Sequence, residues 1–112
     1  YNLIKKSNFP KVMTTCKFNY PIQRALKRNK QGEVKFSDRK FMDYRSQDLN
    51  QEYHYDAGHA YWYNLDKYNK IRNRKKIRTL SIVLNNYEVQ DINTIDEFRL
   101  AERLFKFNKL KR

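Results

Sequence analysis

Apolar and polar positions change their period several times along the 112-residue chain, and each change predicts a new element. The opening residues 1–8 are typical of the tail of a helix that begins upstream, which Pro10 ends. Residues 12–18 form an apolar run with β-branched content, which suits a buried strand. The turn signal NKQG at 29–32, with apolar positions alternating after it, predicts a hairpin over roughly residues 22–37.

The second half of the chain shows clearer periods. Residues 38–53 show no regular period of apolar positions and are predicted to form an irregular, functional loop. Residues 55–63 and 80–84 are predicted to be strands, with a short helix at 65–74 between them. The segment TIDE at 94–97 is a capping box, and apolar residues recur at helical spacing after it, so a helix is predicted from 95 to about 108. This order of strands and helices is an α/β pattern.

Charge narrows the partners without choosing one. With 25 Lys and Arg against 12 Asp and Glu, the formal charge is +13, which favours nucleic acid, membrane surfaces, nucleotides or acidic sugars. Six basic residues lie between positions 70 and 78, and a solvated face is the simplest interpretation of such a run. The two glycines leave no glycine-rich phosphate loop in these residues. The single Cys16 suits a buried, reduced thiol of a cytoplasmic protein, and we expect no membrane span.

Three motifs carry a resemblance to a known family: DYRSQDL at 43–49, YDAG at 55–58 and VQDINT at 89–94, with YPIQRAL at 20–26 in support. They resemble the acylneuraminate cytidylyltransferases, most of all the branch that acts on pseudaminic acid. The resemblance implies the C-terminal half of a Rossmann-like α/β nucleotide-sugar transferase fold, with a mixed sheet, a hairpin or dimerisation arm and a C-terminal helix. Residues 1–112 would then be the C-terminal portion of one cytidylyltransferase domain without its CTP-binding half, and 20–53 the dimerisation arm and sugar-site loop.

The family activity implied is transfer of CMP from CTP to a nonulosonic acid of the pseudaminic or sialic type, with release of pyrophosphate, for surface glycan biosynthesis. We expect a cytoplasmic homodimer with no nucleic-acid or membrane partner, and we expect the fragment alone to be inactive.

The resemblance assigns four residues to the sugar: Arg45, Gln47, Tyr61 and Gln23. The fork of a guanidinium suits the sugar carboxylate because it donates two parallel hydrogen bonds. From the residues alone, a surface salt bridge from Arg45 to Asp43 or Asp48 is the competing interpretation. Likewise, an aromatic strand residue such as Tyr61 is more often plain core.

The resemblance places a magnesium site at Asp91 and Asn93, because Mg²⁺ prefers oxygen ligands and needs only one or two from the protein. Asn93 stands where the family has a second aspartate. The alternative is that both residues merely shape the turn before the capped helix. His54 and His59 are five apart, which places them on opposite faces of a regular strand, and no further pair completes a zinc set. No catalytic side chain is predicted.

The strand motif itself departs from the family pattern DAGQFYWG. His59, Ala60 and Tyr63 replace the glutamine, phenylalanine and last glycine, so these three positions bear on which sugar is used.

A function of another class stays open at this stage. A small basic nucleic-acid-binding module would use residues 70–78 for phosphates and Tyr61 or Trp62 for base stacking. The sequence contains no zinc-finger spacing or ribonucleoprotein motif to support it.

Overall fold

The chain divides into two compact units in the computed structural model, which describes residues 1–49 and 52–111. The first unit, here called the body, comprises residues 1–16 and the chain from Tyr55 onward. The second, here called the loop unit, is Lys17–His54. Residues 50 and 51 of the predicted functional loop lie outside the described residues.

The elements follow one another in the order that the sequence predicts. In chain order they are α1 (Asn2–Lys6), β1 (Lys11–Lys17), β2 (Leu26–Arg28), β3 (Val34–Phe36), β4 (His54–Tyr63), α2 (Leu65–Asn69), β5 (Thr79–Leu84) and α3 (Ile95–Leu110). The α/β class, the strands and the final helix are therefore confirmed.

The sheet of the body has the order β4-β1-β5 and mixes strand directions. Strands β1 and β5 are parallel, in register from Lys11 opposite Thr79 to Cys16 opposite Leu84. Strand β4 runs antiparallel to β1, since Asn64 N–H donates to the Pro10 carbonyl while Ala60 N–H, earlier in β4, donates to the hydroxyl of Thr14. The predicted mixed sheet is thus confirmed.

A small core lies where these strands meet. Cys16, Ala57 and Val89 form the buried cluster, and Tyr55 and Leu84 pack against it. The predicted burial of the Cys16 thiol is confirmed.

Helix α3 begins as its sequence predicts. Thr94 accepts from the Glu97 N–H while the Glu97 carboxylate accepts from the Thr94 N–H, which completes the capping box. None of its residues is buried, and Ile95, Phe98 and Phe105 keep large exposed areas. The apolar stripe that predicts the helix therefore lies mostly in solvent.

The loop unit contains a short hairpin. Strands β2 and β3 pair antiparallel from Leu26 opposite Phe36 to Arg28 opposite Val34, while the predicted start of the hairpin is instead a 3₁₀ turn at Ile22–Arg24. Asn29 Oδ1 accepts from the N–H groups of Gln31 and Glu33 across the turn.

The helix predicted at 65–74 is shorter than expected. Helix α2 ends at Asn69, and a separate 3₁₀ turn follows at Arg74–Lys76. Asn73 Oδ1 accepts from the Lys75 N–H and caps that new turn, so a local side-chain bond replaces the continued helix. Across the described residues, no helix has the length and apolar content needed to cross a bilayer.

Candidate functional site

Gln23 lies at a cavity of the loop unit. The residue is only 6% exposed, and its Oε1 is buried with no hydrogen-bond partner among residues 1–49 and 52–111. It lines a cavity of about 320 Å³, formed with Lys17, Phe18, Asn19, Tyr20, Pro21, Ile22, Leu49, Glu52 and Tyr53. A buried carbonyl oxygen without a donor is costly, so this oxygen is suited to accept a hydrogen bond from a ligand.

Two residues that line this cavity, Lys17 and Glu52, form a polar cluster with His54 that the sequence motifs do not reveal. His54 Nε2 lies 2.9 Å and Lys17 Nζ 3.7 Å from Glu52 Oε1. The hydrogen bond with His54, followed by the charge of Lys17, holds the pKa of the Glu52 carboxyl below its ordinary value. A ligand in the cavity therefore meets a carboxylate and an ammonium side by side.

Arg45 and Gln47 are exposed at the 3₁₀ turn Ser46–Asp48. The turn is closed by a hydrogen bond from Asp48 N–H to the Arg45 carbonyl. Within the described parts of the chain, neither side chain forms a hydrogen bond or ion pair, so the salt bridge to Asp43 or Asp48 is absent. The guanidinium of Arg45 is therefore available to an anionic ligand.

The structure links the Gln23 and Arg45 segments but does not place both side chains in one cavity. Arg24 Nη1, beside Gln23, donates a 2.7 Å hydrogen bond to the carbonyl of Tyr44, beside Arg45. Arg45 and Gln47 do not line the cavity at Gln23. The two segments are thus neighbours within the loop unit.

Tyr61 belongs to the body and is 42% exposed, so its interpretation as plain core is wrong. Its hydroxyl donates to Asp56 Oδ2 at 2.7 Å, and the Lys11 ammonium lies 5.2 Å from its ring centroid. The Asp56 carboxylate raises the pKa of Tyr61, and the same hydrogen bond, with that from Gly58 N–H, lowers the pKa of Asp56. Asp56 lies in the YDAG motif, but the sequence analysis assigns no role to it.

Gly58 interrupts the regular alternation of strand β4. Its φ of +67° lies in the left-handed region, and a side chain there would be strained although a Cβ would meet nothing within 4 Å. Gly58 lies between His54 and His59 and breaks the alternation of faces. Their separation of five residues therefore does not place them on opposite faces. Among the described residues, no three His, Cys, Asp or Glu side chains converge in a way that could hold a metal.

Asp91 and Asn93 contact each other and the start of α3. Asn93 Nδ2 donates to Asp91 Oδ2 at 2.8 Å, and Asn93 N–H donates to the Glu97 carboxylate at 2.7 Å. These bonds support the interpretation that both residues shape the turn. The single exposed carboxylate of Asp91 fits a magnesium ion that takes most of its ligands from water and phosphate, but it does not form a closed protein site.

The basic run at 70–78 is largely exposed. Arg74 stacks on Tyr68 with its Cζ 4.0 Å from the ring centroid and donates to the Tyr68 carbonyl, and Arg78 lies over Phe9. None of its charges forms an ion pair with an acidic side chain in the described ranges. It forms a positive face of the body.

Comparison with known proteins supports the motif resemblance. The chain is 37% and 36% identical, over 97 residues, to the pseudaminic acid cytidylyltransferases of two Campylobacter jejuni strains, serotypes O:2 and O:23/36. The match covers 87% of this chain and 41% of each relative, so the chain spans less than half the length of these relatives. No protein-family model matches the chain. The similarity to cytidylyltransferases is thereby confirmed.

Proposed function

We propose that this chain is the sugar-binding part of a cytidylyltransferase, which transfers CMP from CTP to the anomeric hydroxyl of a nonulosonic acid and releases pyrophosphate. The observation that carries the proposal is the 37% identity over 97 residues, since the matched proteins are pseudaminic acid cytidylyltransferases. Because those relatives are more than twice as long, we expect the rest of the enzyme to bind the nucleotide and the isolated chain to be inactive.

The loop unit would hold the acidic sugar. The guanidinium of Arg45 forms no pair with any described side chain and is suited to the sugar carboxylate, and Gln47 lies two residues away on the same exposed turn. Gln23 would accept from a sugar hydroxyl or acylamido N–H through its buried Oε1. This assignment is supported by the Arg45 guanidinium and the Gln23 Oε1, neither of which has a partner among residues 1–49 and 52–111.

Tyr61 would contact the sugar, and Asp91 would contribute to the metal, with Asn93 as a neutral neighbour. Magnesium, when bound with CTP, would supply neutralisation of the phosphate charge. Nucleotidyl transfer depends on positioning and charge neutralisation more than on an acid–base pair, so we propose no catalytic side chain.

We also propose a Rossmann-like fold for the complete domain and a dimerisation role for the loop unit. Its hairpin exposes Leu26 and Val34, and the following turns expose Met42 and Tyr44. Apolar side chains gathered on so small a unit are typical of a surface that another chain covers, and a second copy is the partner we propose. In this arrangement the enzyme is a homodimer.

The experiment has two stages. The full-length protein is assayed for CMP-sugar formation from CTP with pseudaminic, legionaminic and neuraminic acids, with and without Mg²⁺. We expect a CMP-sugar from at least one acid and only with the metal. Absence of product from all three acids would contradict the proposal.

The second stage uses the 112-residue chain. Binding of the same three acids is measured by NMR chemical-shift changes, with lactic acid as a control carboxylate that lacks the sugar. A response to the control equal to that of the sugars would show carboxylate attraction without sugar recognition.

A further inference from the structure

Strand β4 contains a carboxylate that holds two groups at once. Asp56 Oδ1 accepts from the Gly58 N–H at 2.9 Å, and Asp56 Oδ2 accepts from the Tyr61 hydroxyl at 2.7 Å. Five residues of regular strand would separate Asp56 and Tyr61 onto opposite faces. The positive φ of Gly58 interrupts that alternation and allows the two side chains to meet.

A cation fixes the same tyrosine at its ring. Lys11, on the neighbouring strand β1, lies with its ammonium 5.2 Å from the Tyr61 centroid and 5.6 Å from that of Tyr63. The Lys11 charge also acts on Asp56. The hydroxyl of Tyr61 is thus bound by the Asp56 carboxylate and its ring lies under the Lys11 ammonium, while 42% of the residue remains exposed.

The direction of the hydroxyl bond limits what Tyr61 can recognise. A phenol has one proton to donate, and in this structure that proton goes to an acceptor-only carboxylate. The remaining lone pairs of the Tyr61 oxygen can only accept. A ligand group at this oxygen must therefore be a donor, and a ligand carboxylate would be repelled.

We propose that Asp56 is a positioning residue for Tyr61, and that it makes Tyr61 a selector for a donor group of the sugar, a hydroxyl or an acylamido N–H, and not for its carboxylate. This inference rests on the proposed sugar-binding function. It gives the two groups of the sugar different partners, Arg45 for the carboxylate and Tyr61 for a neutral donor.

The first test reads the Asp56–Tyr61 contact without any sugar. In the full 112-residue chain, Tyr61 is followed by the ¹³Cζ signal of labelled tyrosine during a titration to high pH. Asp56→Asn is expected to lower the pKa of Tyr61, because the hydrogen bond to the carboxylate is the largest cause of its raised value. The charged and titratable neighbours that also act on this group are Lys11 and Tyr63. An unchanged titration in Asp56→Asn would overturn the inference.

The second test uses pseudaminic acid binding in a double-mutant cycle. Tyr61→Phe removes the hydroxyl and leaves the Asp56–Gly58 bond intact, so it does not depend on Asp56→Asn folding well. We expect about tenfold weaker binding for each variant, the scale of one hydrogen bond, and no further loss in the double variant. Full additivity of the two losses would overturn the proposed coupling.

The outcomes distinguish a failure of the proposed role of Asp56 from a failure of the proposed sugar-binding function. A wild-type chain that binds no nonulosonic acid contradicts the proposed function, and with it any role of Tyr61 toward a sugar. A wild-type chain that binds pseudaminic acid, with an Asp56→Asn variant that binds it equally well, overturns the role of Asp56 alone.

Discussion

The body and the loop unit differ in what determines their structure. In the body, paired strands surround a small core at Cys16, Ala57 and Val89. In the loop unit, a hairpin of three-residue strands and several 3₁₀ turns expose most of their apolar side chains. The buried Oε1 of Gln23 has no hydrogen-bond partner in the part of the chain that the structure describes. The structure of the body is determined by its buried core and by the backbone hydrogen bonds between its strands. The loop unit has few internal contacts of that kind, which is typical of a segment that ligands or partners complete.

The strongest test of this comparison uses two valines. Val12 in the body is 1% exposed, whereas Val34 in the loop unit is 57% exposed. Val12→Ala should lower the free energy of unfolding by about 2 kcal/mol, because it removes buried methyl groups and leaves a cavity. Val34→Ala should change it by less than about 0.5 kcal/mol, as exposed substitutions usually do. Denaturant unfolding measures both, and equal losses would show that the units do not differ in packing.

A smaller effect is expected at the cap of α3. Thr94→Ala removes the hydroxyl that accepts from Glu97 N–H and should cost about 1 kcal/mol of unfolding free energy. The control on the same helix is Arg99→Ala, which breaks only the exposed 3.4 Å pair with Asp96 and should cost less than about 0.5 kcal/mol. A Thr94 variant as stable as the Arg99 variant would mean that the cap does not stabilise this mostly exposed helix.

The Asp56–Tyr61 contact should respond to acid. The pKa of Asp56 lies below its ordinary value of 3.8, so its contribution is complete above that pH and is lost as the pH falls through the lowered value. The Tyr61 ring signals should therefore change below about pH 4 in the wild type and not in Asp56→Asn. Asp66→Asn, an exposed carboxylate in α2, should leave the change intact. The same acid transition in Asp56→Asn would contradict the assignment.

The smallest effect is expected on the basic face of the body. Replacing Arg72, Arg74, Lys75 and Lys76 with glutamine should leave sugar affinity within about twofold, because the charges of a solvated face are screened by salt and contribute little to binding. A slight loss of stability is expected from the Arg74–Tyr68 stack. Nucleic-acid binding at sub-micromolar strength in about 150 mM salt, abolished by these changes, would favour a binding module instead.

The sequence predicts the body well because its elements are periodic. The run at 12–18 and the capping box at Thr94 each depend on local rules, and the structure confirms both. Helix α2 is the exception, since the side chain of Asn73 forms a local cap that periodicity does not show.

Local sequence rules predict only part of the candidate site. The availability of Arg45 could be anticipated from its motif, whereas the unpartnered oxygen of Gln23 depends on how its turn packs. The contact of Asp56 with Tyr61 does not follow from the alternation of a regular strand, because Gly58 changes the face on which the later side chains lie. An aspartate two residues before a strand glycine is the local signal that could have indicated it.

The proposed role of Arg45 in the loop unit is to bind the carboxylate of an acidic sugar. The most direct measurement compares pseudaminic acid affinity in Arg45→Ala and in Arg39→Ala, an exposed arginine of another 3₁₀ turn in the same unit. Loss of a charged hydrogen-bond partner should weaken binding about thirtyfold in Arg45→Ala, roughly 2 kcal/mol, and less than about twofold in the control. Equal affinities of the two variants would contradict the account.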